Sequence, residues 1–179
     1  MIFHELELPG VFRVELERFA DERGFFARTW SPEVMAAQGL DAGIAQMSSS
    51  WNAARGTLRG MHWQEEPHAE AKLVRCTRGA IYDVVLDLRA DSAAFGRWTA
   101  VELGADNHLQ LYIPKGCAHG FQTLQAETEV SYLITAPYAP HAARGVRWDD
   151  PAFGIEWPLP VAAASARDRT FPAWTGPLP

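Results

Sequence analysis

The sequence has few cysteines and no long apolar run. Cys76 and Cys117 are the only two cysteines in 179 residues; they are too few for a disulfide framework and lack the local spacing of a zinc site. No segment approaches the ~18 consecutive apolar residues of a membrane span, and residues 1–10 lack the basic and apolar stretches of a secretory signal. We therefore expect reduced, structural cysteines, no membrane partner and a cytoplasmic location.

Positive charge is also scarce. Sixteen lysines and arginines stand against 22 aspartates and glutamates, so the formal net charge is −6, and the pI is near 5.5. A broad surface for nucleic acid needs clustered positive charge, so we expect no nucleic-acid partner. Any phosphate group would be bound by a few individually placed arginines and lysines.

Helix signals are rare. The clearest is at Ser31, a residue type that caps helices, followed by Pro32 at the first helical position and Glu33 in the first turn. Gly39 then provides a stop signal. This pattern predicts one short helix.

Most of the chain consists of short β-branched or aromatic runs separated by turn residues. The runs cover residues 10–19, 57–64, 72–76, 80–88, 98–103, 110–113, 120–124, 129–135 and 145–148. Their regular spacing predicts an all-β sandwich or barrel. A length of 179 residues predicts a single domain over 1–179 with one core.

Strand parity gives the first indication of function, because side chains at i and i+2 lie on the same face of a strand. Three faces combine one polar reactive group with mostly apolar neighbours: Lys72 with Val74 and Cys76, Tyr132 with Val130 and Ile134, and His119 with Phe121 and Thr123. Polar groups that point into a β-barrel usually line a ligand cavity. A lone histidine or tyrosine on such a face is more often structural, whereas the apolar neighbours of Lys72 favour a site role.

Three segments resemble a known family. They are residues 55–64 (RGTLRGMHWQ), residues 72–79 (KLVRCTRG) leading to 83–89, and residues 113–121 (IPKGCAHGF). In this order and spacing they resemble the dTDP-4-dehydrorhamnose 3,5-epimerase family, and supporting matches extend over nearly the whole chain. The resemblance implies a cupin double-stranded β-helix, or jelly roll, with a few short peripheral helices. It also implies a dTDP-linked nucleotide-sugar substrate, no cofactor or metal, and a homodimer in which the N-terminal segment completes the neighbouring site.

The chemistry of such a family defines three tasks. A ketone at C4 of a 4-keto-6-deoxyhexose acidifies the hydrogens at C3 and C5, so one base can act on both carbons. Inversion then needs a proton donor on the opposite face, and the enolate oxygen needs a cation or donor. The resemblance implies that His62 is the base, Asp168 orients it, Lys72 faces the enolate oxygen, and Tyr132 returns the proton.

The resemblance also implies substrate contacts. Arg23 and Arg59 are expected to bind the diphosphate, Gln46 to lie near the nucleotide, His119 to line the sugar pocket and Asp83 to pair electrostatically with Lys72. Ser48, Tyr138 and Arg167 complete the expected substrate-binding set.

Arg59 and His62 raise a question of geometry. On a regular strand they would point to opposite faces, so both reach one site only if the strand bulges or bends. Gly60 is the expected position of that irregularity.

The chain departs from the family pattern at four positions. Arg28 and Ala143 stand where a glutamate is usual, Ser48 where an asparagine is usual, and Arg167 where a lysine is usual. The resemblance places these positions near nucleotide or sugar, while the expected proton-transfer residues are intact. Inversion at both C3 and C5, or at one of them, therefore stays open from the sequence.

Three rival hypotheses remain. A metal-dependent cupin would use His62 and His119 as ligands, although Gly60 and Gln64 flank His62 where a His-x-His motif would need a second histidine. A non-catalytic sugar-binding cupin would tolerate loss of a proton-transfer group. A 3,4-ketoisomerase normally uses a histidine pair instead of a histidine and a tyrosine.

Overall fold

A computed structural model describes residues 1–176. The strands are β1 (Ile2–Glu5), β2 (Phe12–Glu15), β3 (Arg18–Asp21), β4 (Gly24–Ala27), β5 (Gln46–Asn52), β6 (Leu58–Gln64), β7 (Lys72–Arg78), β8 (Ala80–Asp87), β9 (Trp98–Gly104), β10 (Gln110–Ile113), β11 (Cys117–Thr123), β12 (Thr128–Ile134) and β13 (Ala143–Gly145). The helices are α1 (Pro32–Ala37) and α2 (Ala166–Thr170). No helix in this part of the chain is long and apolar enough to cross a membrane.

The strands form two large antiparallel sheets. The six-stranded sheet has the order β1-β2-β10-β7-β12-β5, and the five-stranded sheet has the order β13-β6-β11-β8-β9. Strands that are distant in sequence are neighbours in both sheets, as in β2-β10-β7. The predicted all-β jelly roll is therefore confirmed.

The main core lies between the two sheets. Val74, Cys76 and Val130 come from the six-stranded sheet, and Val85 and Phe121 come from the five-stranded sheet. Burying such an apolar side chain contributes about 1.5–3 kcal/mol. The predicted strand parity is confirmed, because Val74 and Cys76, Val130, and Phe121 are the predicted apolar neighbours of Lys72, Tyr132 and His119, respectively.

The outer faces are covered by different segments. Met35 of α1 packs on the six-stranded sheet with Val14 and Leu73. Trp157 and Trp174 from the C-terminal segment pack on the five-stranded sheet. That segment also forms a parallel bridge between Ala163 and Thr57, which brings α2 next to β6.

The structure corrects several boundaries. The short helix after Ser31 is confirmed, but β1, β4, β5 and α2 lie outside the predicted elements, and the run 10–19 contains β2 and part of β3. The predicted strand 145–148 shares only Gly145 with β13. The regular pairing of β13 with β6 ends at Gly145, beside the irregular part of β6. Beyond it, Val146 and Met61 exchange two backbone hydrogen bonds of 3.2 Å.

Candidate active site

One cavity of about 660 Å³ opens between the two sheets. Its lining contains all four expected proton-transfer residues, and four of the expected substrate contacts also line it: Ser48, Arg59, His119 and Arg167. A smaller pocket of about 180 Å³ shares His62, Lys72 and Arg167 with this cavity and is also lined by Gln46, Tyr138, Ala143 and Glu70. The two spaces together form the candidate active site.

His62 is held by a carboxylate from the C-terminal helix. Its Nε2 lies 2.7 Å from Oδ1 of Asp168. The side chain of Asp168 is 4% exposed, whereas that of His62 is 39% exposed. Because an ionised carboxylate only accepts hydrogen bonds, the neutral imidazole donates from Nε2 and keeps its lone pair on Nδ1.

Asp168 is kept ionised by its contacts. Burial raises the pKa of its carboxyl group, but the hydrogen bond and charge of His62, with further bonds from Gly60 and Ser165, outweigh burial and lower the pKa below its ordinary value. Ser165 caps α2 by accepting the Asp168 N–H at 3.0 Å. The cap therefore fixes the first turn that presents this carboxylate to His62.

The predicted irregularity at Gly60 is confirmed. The pairing of β11 with β6 shifts register between His119, which pairs with His62, and Phe121, which pairs with Arg59. Gly60 has a φ of 140°, and a Cβ there would lie 2.5 Å from Gly120 Cα. The bulge lets Arg59 and His62 line one cavity.

Lys72 has two partners in the site. Its Nζ forms a salt bridge with Oε1 of Glu70 at 3.1 Å and donates to the backbone carbonyl of His62 at 3.2 Å. An ammonium group has three donors, so at least one donor is available to a bound substrate. The expected pairing of Lys72 with Asp83 is wrong, because Glu70 provides the counter-charge.

Asp83 instead pairs with His119. His119 Nε2 lies 2.7 Å from Asp83 Oδ1, and both side chains are buried, at 6% and 0% exposure. Asp83 does not itself line the cavity. It therefore acts on a bound sugar only through His119.

Tyr132 enters the cavity from the six-stranded sheet. Its hydroxyl lies 3.1 Å from Ser50 Oγ, and its ring is 6.3 Å from that of His119 in an edge-to-face arrangement. Burial raises the pKa of the phenol well above its usual value, and the bond to Ser50 offsets this only in part. The phenol is therefore protonated at neutral pH.

Two arginines lie near the cavity mouth. Arg59 Nε donates to Asn52 Oδ1 at 2.7 Å, and Arg167 lies over the ring of Phe171 at 5.6 Å. These contacts orient the two guanidinium groups, and both arginines line the cavity. Guanidinium groups in this arrangement suit an anionic substrate group.

Arg23 lies away from the cavity of its own chain. It sits at the turn of the β3–β4 hairpin, where its side chain is 82% exposed and bonds Asp21. In the described residues this hairpin pairs with neither large sheet. Arg28, which follows β4, is also exposed.

Sequence reasoning missed Glu70, Ser50 and Ser165 as site residues. Glu70 lies just before β7, and nothing in the sequence around it distinguishes it from a surface glutamate. In the structure it is buried against Lys72. Ser50 lies on β5, whose serine-rich sequence gives no strand signal. A Ser-x-x-Asp capping pattern at Ser165 and Asp168 was available and predicts α2.

The two cavity histidines both direct Nε2 to a carboxylate oxygen. Within residues 1–176 no three His, Cys, Asp or Glu side chains are grouped so that they could hold a metal ion.

Comparisons with known proteins show which family the chain resembles. The family model for dTDP-4-dehydrorhamnose 3,5-epimerase matches residues 5–175. The dTDP-4-dehydrorhamnose 3,5-epimerase of Sinorhizobium fredii is 42% identical over 174 residues, which cover 97% of this chain and 89% of that protein. The crystal structure of the enzyme from Elizabethkingia anophelis has a TM-score of 0.93 at 35% identity and covers 97% of this chain and 96% of that one.

A second solved structure is similar in the same way. The dTDP-4-dehydrorhamnose 3,5-epimerase of Bacillus anthracis, solved with TDP and PPi bound, has a TM-score of 0.92 at 39% identity and covers 97% of this chain and 99% of that one. Sequence and structure therefore agree over nearly the full length. The chain belongs to the dTDP-4-dehydrorhamnose 3,5-epimerase family and is an epimerase, an enzyme of the isomerase class.

Proposed function

We propose that this chain inverts C3 and C5 of a dTDP-linked 4-keto-6-deoxyhexose, with His62 as base and Tyr132 as acid. One observation carries the proposal. An imidazole from the five-stranded sheet and a protonated phenol from the six-stranded sheet line the same cavity, with an ammonium group in it. Inversion at a carbon needs proton removal and return on opposite faces, and groups on facing sheets are suited to that.

His62 takes the first step. Its Nδ1 accepts the proton from C3 or C5, and the electron pair of the broken C–H bond moves into an enolate with charge on the C4 oxygen. The resulting imidazolium is stabilised by Asp168, whose lowered pKa keeps it anionic. The partial exposure of His62 supports later proton exchange with solvent.

Lys72 stabilises the enolate. Its charge is paired with Glu70 and one donor is engaged by the His62 carbonyl, and a remaining donor is directed to the C4 oxygen. A fixed donor that meets developing charge lowers the barrier without reorganisation. Glu70 acts here as a positioning residue for Lys72.

Tyr132 completes the inversion. Its hydroxyl protonates the carbon from the side opposite His62. Before the second centre reacts, the phenolate recovers a proton from solvent and the imidazolium of His62 releases one to solvent. The raised pKa supports this role, because the donor must be protonated at rest. His119, held by Asp83, lines the wall beside the sugar.

The nucleotide end of the substrate is bound by the mouth of the cavity. Arg59 and Arg167 bind the diphosphate, while Gln46, Ser48 and Tyr138 lie near the nucleotide. Their position around the two connected pockets supports this assignment. The TDP and PPi bound to the Bacillus anthracis enzyme are consistent with it.

Arg23 contributes to the diphosphate site of a second copy of the chain. The β3–β4 hairpin exposes three aromatic side chains, Phe19, Phe25 and Phe26. Exposed apolar groups on an unpaired hairpin favour a protein interface, so we propose a homodimer with exchanged hairpins. Light scattering after size exclusion should give twice the chain mass, and Phe19→Ser/Phe26→Ser should give monomers.

The experiment that tests the reaction is incubation with dTDP-4-keto-6-deoxyglucose in heavy water. Deuterium at both C3 and C5, read separately by NMR, supports double inversion. Deuterium at one carbon would reduce the proposal to a mono-epimerase, and none would remove it. The mono-epimerase alternative is not favoured, because the relative from Sinorhizobium fredii is a 3,5-epimerase.

We propose the cytoplasm as the location, since both cysteines are free thiols.

A further inference from the structure

Two histidines meet outside the active site. His68 lies in the loop between β6 and β7, and His141 lies in the loop between β12 and β13. Their Nε2 atoms are 3.1 Å apart. The rings are perpendicular and their centroids lie 4.7 Å apart, so the rings converge at an angle instead of lying end to end along a straight N–H···N line.

The two loops are held together without any help from the imidazoles. The buried side chain of Gln64 donates to the carbonyls of His68 and Pro137, at 2.9 and 3.2 Å. Its Oε1 accepts the Ala139 N–H at 2.6 Å. Because one side chain joins both loops, the approach of the histidines is preorganised by the backbone.

The separation of the two nitrogens suits a metal ion. Imidazole nitrogens coordinate transition metals at about 2.1 Å, and two such nitrogens 3.1 Å apart subtend about 95° at the ion. That angle is close to the cis angle of tetragonal or octahedral coordination, which Cu²⁺ and Ni²⁺ prefer. Both rings reach solvent, since His68 is half-buried and His141 is exposed.

The local charges do not oppose a cation. Arg144 donates to the His141 carbonyl at 2.8 Å, but its charge is paired with Glu65 at 2.8 Å. Glu66 in the same loop is exposed and negative. A divalent ion at the pair would therefore meet no uncompensated positive group among these neighbours.

We propose that His68 and His141 form a two-histidine chelate for a divalent transition-metal ion, with Cu²⁺ bound more tightly than Ni²⁺ or Zn²⁺. Water completes the coordination. The ion ties the loop of Glu70 to the loop of Tyr138, and both of these residues line the smaller pocket. The site is separate from the proton-transfer residues, so its test does not depend on the proposed reaction.

The test uses the full chain without an affinity tag, cleared of metal by a chelator and titrated with CuCl₂ in a calorimeter. The parent is expected to bind one Cu²⁺ at this pair, and His68→Ala and His141→Ala should each weaken that binding at least about tenfold. The matched control is His4→Ala. His4 is exposed and lies three residues from the N-terminal amine, a group that can also bind copper, so this variant tests the other candidate copper site. This variant should retain the site.

Two further measurements give the proposal independent readouts. The electron paramagnetic resonance spectrum of the parent with one equivalent of Cu²⁺ should show coupling to two imidazole nitrogens. NiCl₂ should raise the unfolding temperature of the parent but not that of the double variant His68→Ala/His141→Ala. Equal copper binding by the parent and both single variants, or no binding by the parent, would overturn the proposal and leave a hydrogen bond as the role of the pair.

Discussion

Two histidines line the cavity, and each is paired with a carboxylate at the same hydrogen-bond length but in different surroundings. His62–Asp168 and His119–Asp83 both have an N–O separation of 2.7 Å. His62 is partly exposed and is held by a carboxylate from a short C-terminal helix. His119 is enclosed, and its carboxylate comes from the neighbouring strand of the same sheet.

The difference in solvent exposure indicates which histidine can exchange protons with solvent. A base that removes a proton in every cycle must pass it to solvent, and His62 has the access that this requires. His119 lacks such access, and a pair buried on a rigid sheet is suited to shaping the sugar pocket. The same hydrogen bond therefore supports different functions because the surroundings differ.

The largest expected effect comes from breaking the exposed pair. His62→Asn should lower kcat by about 10³-fold, because general-base catalysis contributes about 10²–10⁴, and should abolish deuterium uptake at both carbons. His119→Asn keeps the base and should lose much less. The comparison would be reversed if His119→Asn were the more damaging variant in assays with dTDP-4-keto-6-deoxyglucose.

The second largest effect should separate proton removal from proton return. Tyr132→Phe removes the donor but leaves the base, so kcat for completed inversion should fall about 10²-fold. Exchange of substrate hydrogens with heavy water should fall less than inversion does. Inversion of both centres at the parental rate would show that another group returns the proton.

A smaller effect is expected at a third charged pair, Glu70 with Lys72. Glu70→Gln keeps the shape but removes the charge that positions the ammonium group. We expect kcat to fall about tenfold, less than the ~10²–10³ for loss of an oxyanion-stabilising group, with KM within about twofold. Glu66→Gln in the same loop is the control, and a loss of stability with unchanged kcat would make Glu70 merely structural.

The smallest effect is a pH-dependent change in stability. The pKa of Asp168 is lower in the folded chain, so its stabilising contribution is complete above the unfolded pKa of about 3.9 and is lost as pH falls through the folded value. The difference in free energy of unfolding between the parent and Asp168→Asn should therefore shrink below about pH 4.

Urea titrations from pH 2.5 to 7 measure that difference. Asp149→Asn is the control, because Asp149 also has a lowered pKa, caused by Arg147 at the surface, and exposed pairs contribute about 0–1 kcal/mol. A difference for Asp168→Asn that stays constant with pH would contradict the role of its charge.

The missed elements share a physical cause. The strand β5 reads QMSSSWN, and its central serines carry no β signal, but pairing with all seven residues of β12 makes it a strand. Ser48 and Ser50 then face the cavity. A ligand site requires polar residues on the strand that lines it. Local β-propensity therefore fails to predict such a strand.

The sequence by itself determined the β class, the inward faces of Lys72, Tyr132 and His119, and the bulge at Gly60. These features follow from the period of two along a strand and from the freedom of glycine, which are local properties. Only the tertiary structure decided that Asp168 meets His62 across 106 positions and that Lys72 pairs with Glu70 instead of Asp83. Partners of a buried charge depend on how sheets and terminal segments pack, and packing is not a local property of the chain.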